Sequence, residues 1–132
     1  MDTHALALIA VHPQSLRYSL QALLTTIPSL KSVNSVADAQ SVAAVAAVLH
    51  PALAILDTAL LGDEIERVVE QIKTVSPRTR CIVLVDSIQQ QRGLTTTHAD
   101  AVLLKGFPAA ELLVVVKRVL DQSGETMGRN VR

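Results

Sequence analysis

The chain has 132 residues, of which 49% are hydrophobic, 18% are charged and only 2% are aromatic. This composition excludes a disordered segment and suits one domain, whose core Ala, Val, Leu and Ile must fill. Lys plus Arg and Asp plus Glu number 12 each, so the net charge is zero. Nucleic-acid-binding modules are usually basic, so we expect no direct contact with nucleic acid.

The chain lacks the features of a secreted or membrane protein. Its single cysteine, Cys81, lies inside an apolar run, which excludes a disulfide framework and predicts a small core residue. The N-terminus does not have the basic start and long apolar core of a signal peptide. No apolar run approaches the roughly 20 residues needed to span a bilayer. We therefore expect a soluble cytoplasmic domain that does not contact a membrane.

The first half of the chain alternates apolar runs with amphipathic segments. Residues 5–11 are continuously apolar, as in a buried strand, and His12-Pro13 ends this run. Apolar residues then recur at helical spacing to about residue 26. Residues 31–36 predict a weaker second strand. Asp38 is placed to cap a second helix that ends at His50-Pro51.

The middle of the chain repeats this alternation. Residues 53–57 form a third apolar run, which ends abruptly in the carboxylate of Asp57. Gly62 and Asp63 are predicted to begin a third helix that ends at Ser76-Pro77. Residues 81–85 predict a fourth buried strand.

The last part of the chain is less regular. Residues 88–97 are polar and rich in threonine, which predicts only a short or mobile element. Residues 101–104 predict a fifth strand that leads into Lys105, and Pro108 opens a last helix through about Leu120. Residues 122–132 lack periodicity and predict a polar tail or linker, so the folded domain is expected to span residues 1–121.

The predicted elements define the class of fold. Buried strands that alternate with helices predict an α/β domain with a doubly wound parallel sheet and right-handed crossovers. Function in such sheets gathers at the carboxyl ends of the strands. Asp57 and Lys105 stand at two of those ends, which makes them the first candidates for a site.

The chain resembles the receiver domain of bacterial two-component response regulators, in particular the NarL/LuxR class. The similarity covers about residues 5–121 and implies a flavodoxin-like, CheY-like fold with strand order 2-1-3-4-5. It also implies that Asp57 occupies the phosphoacceptor position and Lys105 the phosphate-pairing position. The segments that carry the similarity are 8–13, 56–57 with 61–62, 98–105 and 108–112.

The sequence departs from this family at four important positions. The acidic pair at the end of the first strand is replaced by Ala10 and Val11, and the switch Ser or Thr and the aromatic residue are replaced by Val85 and Val102. Mg²⁺ requires near-octahedral oxygen ligation, and one carboxylate beside two apolar residues is a poor site. We expect magnesium binding to be weak or absent, with no other cofactor and no standard phosphorylation switch.

For several candidate residues, a role in stabilising the fold is the alternative to a role in catalysis or binding. Without a metal, Asp57 and Lys105 are expected to form a structural ion pair. Asp86 is a candidate substitute acid but is expected to serve a loop or helix cap, and Ser87 is expected to be a cap or turn residue. A less favoured alternative is a transition-metal site formed by His12, Asp57 and Asp86.

The apolar residues of the predicted last helix indicate an interface. Val114 and Val115 lie outside its core stripe, and a helix that is apolar nearly all round tends to be buried on more than one face. The family resemblance implies that this helix often takes part in dimers. We therefore expect a homodimer through residues 110–120. The core stripe itself consists of Leu112, Leu113, Val116, Val119 and Leu120.

The resemblance implies an atypical receiver domain that acts as a regulatory interaction and dimerisation module. It also implies the N-terminal part of a transcription regulator, whose helix-turn-helix domain would follow the tail. One alternative is a conventional receiver phosphorylated on Asp57 by a sensor histidine kinase or a small phosphodonor. Another is a sensor that binds a small molecule or metal in the altered pocket around Ala10, Val11 and Val85. An enzyme is not expected, because the sequence offers no nucleophile–base pair and no Gly-rich phosphate loop.

Overall fold

The computed structural model describes residues 6–94 and 98–129, and it describes side chains as far as Asp121. Five strands form one sheet in the order β2-β1-β3-β4-β5, and all neighbouring strands are parallel. The predicted doubly wound class and its strand order are therefore confirmed. The strands are β1 (Leu6–Ala10), β2 (Ser32–Ser35), β3 (Leu53–Asp57), β4 (Arg80–Val85) and β5 (Ala101–Leu104).

Side-chain contacts define where the helices begin and end. The Asp38 carboxylate accepts a hydrogen bond from the Ser41 N–H at 2.8 Å, which caps the second helix as predicted. His50 ends that helix with a φ of 46°. The helices are α1 (Gln14–Leu24), α2 (Ala39–Leu49), α3 (Thr58–Leu61), α4 (Ile65–Val75), α5 (Ile88–Gly93) and α6 (Ala109–Arg129).

The sheet divides the interior into two cores because successive side chains of a strand point to opposite faces. On one face, Ile9 and Ile55 pack with α1 and α6. On the other face, Leu8 and Leu56 pack with α2 and α4. Every residue of β3 is buried, so this strand lies at the centre of the domain and delivers Asp57 to the carboxyl edge of the sheet.

The region after β3 differs from the expectation of a single helix beginning at Gly62 and Asp63. The short helix α3 follows the strand directly, and a turn of 3₁₀-helix, Gly62–Glu64, connects it to α4. Asp57 causes this early start, because its carboxylate accepts a hydrogen bond from the Ala59 N–H at 2.9 Å.

The last helix is longer than predicted. It continues to Arg129 rather than ending near Leu120. Gln122, Glu125 and Met127 favour helix, and a helix that has already formed extends at little cost. The predicted boundary between domain and tail at residue 121 stays a prediction, and residues 130–132 of the predicted tail lie outside the described residues.

The element between β4 and β5 is short, as predicted. Helix α5 has six residues, and none of them is buried. Residues 95–97, which belong to the same predicted segment, lie outside the described residues, as does residue 5 of the predicted first strand.

Candidate functional site

The carboxyl ends of β3, β4 and β5 bring three charged side chains together. The Lys105 ammonium lies 2.7 Å from Oδ1 of Asp57 and 3.2 Å from Oδ1 of Asp86. Asp57 is fully buried, whereas half of the Asp86 side chain is exposed. The predicted ion pair between Asp57 and Lys105 is therefore present, and Asp86 is part of the same cluster.

Backbone amides complete the surroundings of Asp57. Its Oδ2 accepts a hydrogen bond from the His12 N–H at 2.9 Å, and its Oδ1 accepts one from the Ala59 N–H at 2.9 Å. A buried carboxylate is tolerated only when charge and hydrogen bonds replace the water it has lost. These contacts hold Asp57 in one orientation and tie β3 to the ends of β1 and β5.

The Lys105 side chain uses its full donor capacity. An ammonium has three N–H donors, and Lys105 Nζ has three oxygen neighbours, since it also donates to the His12 carbonyl at 3.3 Å. The backbone N–H of Lys105 donates to the Val85 carbonyl at 2.8 Å, which anchors the residue to β4. Two carboxylates and one ammonium give these three side chains a formal charge of minus one.

The four positions at which the sequence departs from the receiver pattern are apolar and largely buried. Ala10, Val11 and Val85 are 0%, 4% and 0% exposed, and Val102 is half-buried. Ala10 and Val85 pack in the core beneath α2 and α4, and Val11 packs in the core beneath α1 and α6. None of the four side chains offers an oxygen or nitrogen atom to a ligand. Their assignment to receiver positions stays a prediction.

The alternative metal site of His12, Asp57 and Asp86 is not formed. His12 contacts Asp57 through its backbone N–H, and its own side chain lies on the surface. Within residues 6–94 and 98–121, no group of three His, Cys, Asp or Glu side chains is placed to share a metal ion. The reason is geometric, because the Lys105 ammonium lies between the two carboxylates.

Sequence reasoning missed a second set of contacts at this edge, centred on Gln90. Its Oε1 accepts hydrogen bonds from the Asp86 N–H at 2.7 Å and from the Thr58 hydroxyl at 3.2 Å. Ser87 caps α5, as predicted, by accepting from the Gln90 N–H at 3.1 Å. The pattern Ser-x-x-Gln at 87–90 is the sequence signature of a capping box. It could have identified Ser87 and Gln90 as capping residues of α5 from the sequence alone.

A cleft of about 290 Å³ opens beside these contacts, between the α3–α4 region and α5. Thr58 and Gln90 belong to its wall, so the cleft adjoins the residue that follows Asp57. Its lining residues are Thr58, Gly62, Asp63, Ile65, Glu66, Gln90, Gly93 and Leu94.

A second charged cluster lies at the opposite edge of the sheet. The Asp100 carboxylate accepts hydrogen bonds from Lys73 Nζ at 2.8 Å, from Arg80 Nη1 at 3.2 Å and from the Cys81 N–H at 2.7 Å. Cys81 is a buried core residue, as predicted, and burial raises the pKa of its thiol to about 12. This cluster fixes the starts of β4 and β5.

The last helix presents a mixed surface. Val115 belongs to the core, so the predicted second apolar side is reduced to Val114, which is 62% exposed. Charged residues surround Val114 on the outer face of α6, namely Glu111, Lys117, Arg118 and Asp121. Among the helices described by the structure, none is long and apolar enough to cross a bilayer.

Comparison with known proteins gives a likeness of structure only. No family model matches the sequence, and no curated protein matches it. A receiver domain of a response regulator from Methanospirillum hungatei JF-1 superimposes with a TM-score of 0.79 at 21% identity, covering 92% of this chain and 97% of that one. The receiver domain of an HD domain-containing protein from Pseudomonas fluorescens Pf-5 gives 0.80 at 17% identity, covering 98% and 96%.

The beryllofluoride-activated NtrC4 receiver domain dimer is a third similar structure. It gives a TM-score of 0.78 at 18% identity and covers 90% of this chain and 98% of that one. The chain therefore has the CheY-like fold of receiver domains. At these identities the likeness extends to the fold and not to the residues of a site.

Proposed function

We propose that this chain, which has the fold of receiver domains, is an atypical receiver that acts as a regulatory interaction and dimerisation module in response-regulator signalling. Its state would not be set by magnesium-dependent phosphorylation of Asp57. The observation that carries this proposal is the end of β1 beside Asp57, where Ala10 and Val11 present only buried hydrocarbon. The contact of Lys105 with Asp57, at 2.7 Å, is compatible with both the atypical and the conventional interpretation.

The donor set at this edge argues against a magnesium site. Mg²⁺ needs about six oxygen ligands in near-octahedral geometry and is usually held by one or two carboxylates with waters and substrate phosphates. Asp57 and Asp86 both contact Lys105, and Asp38 at the same edge is exposed and caps α2. Ala10 and Val11 add only buried hydrocarbon. These residues do not fit magnesium, so we derive no phosphoryl-transfer step through it.

The sequence supports the wider setting that we propose for the domain. The segments shared with the NarL/LuxR class support a place in a transcription regulator under a sensor histidine kinase. The balance of 12 basic and 12 acidic residues supports DNA contact by a separate domain. The sequence offers no Gly-rich phosphate loop. The Ser76 hydroxyl lies 3.3 Å from His50 Nδ1, but it is buried and hydrogen-bonded to Thr79, which supports a structural role for this pair.

Intact-mass spectrometry tests the phosphorylation part of the proposal. The protein and an Asp57→Asn variant are incubated with Mg²⁺ and acetyl phosphate, beside a conventional receiver domain as a positive control. We expect the mass of one phosphoryl group on the control only. A gain of that mass by this protein, lost in Asp57→Asn, would establish the conventional phosphoacceptor alternative. Thermal stabilisation by a metal ion or metabolite would instead favour the sensor alternative.

The outer face of α6 supports dimerisation. Val114 is exposed among acidic and basic side chains, and such a mixture lets the same face of a second copy contribute opposite charges around an apolar centre. The NtrC4 receiver domain, which has a similar structure, is described as a dimer.

Sedimentation at high micromolar concentration tests the dimer. We expect the wild-type protein to sediment as a dimer and the Val114→Glu variant as a monomer. Val48→Glu is the matched control, because Val48 is 75% exposed on α2, away from α6. A monomeric wild-type protein would exclude the dimer, and equal effects of both variants would place the interface elsewhere.

A further inference from the structure

Helix α5 has little hydrophobic anchorage. None of its six residues is buried, and Ile88 at its start is 54% exposed. Leu94, directly after the helix, is the nearest buried side chain, at 7% exposure. An element with so few buried contacts opens locally at low cost unless polar contacts hold it. The position of α5 therefore depends on its hydrogen bonds.

Gln90 provides the contacts that join α5 to the Asp57 region. One oxygen, Oε1, accepts from the Asp86 N–H at 2.7 Å and from the Thr58 hydroxyl at 3.2 Å. The atom that faces the Asp86 N–H must be the amide oxygen, because a backbone N–H can only donate. Thr58 directly follows Asp57, and Asp86 directly follows β4. A single side chain therefore bridges the two loops that leave β3 and β4.

This bridge also closes one end of the cleft of about 290 Å³, since Thr58 and Gln90 both line it. The other hydrogen bonds of α5 include the Ser87 cap and the bond from Gln91 Nε2 to the Val102 carbonyl at 3.4 Å. The first lies within the start of the helix, and the second holds α5 to β5. Neither of them reaches the loop that carries Thr58.

We propose that Gln90 is a latch that positions α5 against the Asp57 loop and fixes the width of the cleft between them. Movement of Thr58, the residue after Asp57, is then transmitted through Gln90 to α5. The latch needs an acceptor at position 90 and a hydroxyl at position 58. It does not depend on whether Asp57 accepts phosphate or on whether the chain dimerises.

Hydrogen exchange in the full chain tests the latch. Gln90→Leu keeps a similar side-chain size but removes the acceptor. We expect exchange of the amides of residues 86–93 to become about threefold to tenfold faster, as suits the loss of two exposed hydrogen bonds. Gln90→Glu retains the acceptor oxygen and is expected to keep the wild-type rates. Gln89→Leu, a change of the same kind at an exposed neighbour, is expected to leave them unchanged.

The Thr58 end of the latch provides an independent test. Thr58→Val removes the hydroxyl while keeping the side-chain shape, and it is expected to accelerate the same amides by less than Gln90→Leu does. In the double variant the two effects should combine to less than their product, because they remove one shared bond. Unchanged exchange in Gln90→Leu, equal acceleration in Gln89→Leu, or fully independent effects in the double variant would each overturn the proposal.

Discussion

The two edges of the sheet carry charged clusters of opposite formal charge. At the carboxyl edge, one ammonium, from Lys105, contacts the two carboxylates of Asp57 and Asp86. At the amino edge, one carboxylate, from Asp100, contacts the two cations of Lys73 and Arg80. By formal charge, the three side chains of the first cluster sum to minus one, and those of the second sum to plus one.

This comparison shows that an Asp–Lys pair at a strand end does not by itself identify a functional site. The same fold uses such a pair twice, and the pair at Asp100 joins the starts of two strands. The two clusters differ in burial. Asp57 is completely buried, whereas the Asp100 side chain is 14% exposed. Loss of a partner should therefore cost more at the carboxyl edge, where water cannot replace it.

Removal of the Lys105 ammonium is expected to have the largest effect. Lys105→Met leaves the buried Asp57 carboxylate without its cation, so we expect a loss of about 3 kcal/mol in the free energy of unfolding. Urea unfolding measures this change. Lys73→Met is the matched control at the amino edge. We expect it to cost less, because Asp100 keeps Arg80 and the Cys81 N–H as partners.

A double variant shows whether the cost of Lys105→Met comes from the buried charge. Asp57→Asn with Lys105→Met removes both charges, and we expect it to be more stable than Lys105→Met alone. If the double variant were instead less stable than the single one, the charge of Asp57 would not be the source of the loss.

Removal of the shared carboxylate at the amino edge is expected to have a smaller effect. Asp100→Ala removes the carboxylate that Lys73, Arg80 and the Cys81 N–H share, although Lys73 keeps the Thr79 carbonyl at 2.7 Å. We expect a loss of about 2 kcal/mol in the free energy of unfolding. The thiol of Cys81 reports this loss directly, because burial raises its pKa to about 12 and protects it from alkylation in the native state. Alkylation at neutral pH should become at least about tenfold faster in Asp100→Ala.

The control for that measurement is Asp86→Asn, which changes a half-exposed carboxylate at the other edge. It is expected to leave the alkylation rate of Cys81 close to the wild-type value. Equal acceleration by both variants would show that Cys81 reacts through global unfolding rather than through opening of the amino edge.

The sequence was sufficient to predict a parallel sheet, because four of the predicted strands are continuous apolar runs and each crossover has room for a helix. The strand order was implied by the resemblance to receiver domains. The pair of Asp57 and Lys105 was expected from their places at the carboxyl ends of two strands, together with the phosphoacceptor and phosphate-pairing positions that the resemblance implies. The early start of α3 was not predicted, because it depends on a hydrogen bond from the Ala59 N–H to Asp57, a carboxylate that was interpreted as an ion-pair partner or reactive group rather than as a helix cap.

The role of Gln90 was not predicted for a related reason. A glutamine in a polar segment carries no hydrophobic pattern, and its partner Thr58 is distant in sequence. The pairing becomes visible only when β3 and β4 are placed side by side. The extension of α6 to Arg129 was missed because two glycines and polar residues interrupt the hydrophobic pattern.

The smallest expected effect concerns Asp38, a carboxylate that lies at the same edge as Asp57 but is exposed. The hydrogen bond from the Ser41 N–H holds the pKa of Asp38 below its ordinary value. A carboxylate with a lowered pKa in the folded state stabilises the protein above its unfolded pKa of about 4, and this contribution disappears as the pH falls through the folded value. Asp38→Ala should therefore lower the urea midpoint slightly at neutral pH.

The difference between the wild-type protein and Asp38→Ala should shrink as the pH is lowered below about 4. Asp38→Asn is the control, because its amide oxygen still caps α2 and does not titrate over this range. A difference from Asp38→Ala that stays constant with pH would mean that helix propensity at position 38, rather than the charged cap, determines the effect. Asp38→Ala thus measures the contribution of an exposed carboxylate at this edge to the free energy of unfolding. Lys105→Met measures the larger cost of leaving the buried Asp57 carboxylate without its cation.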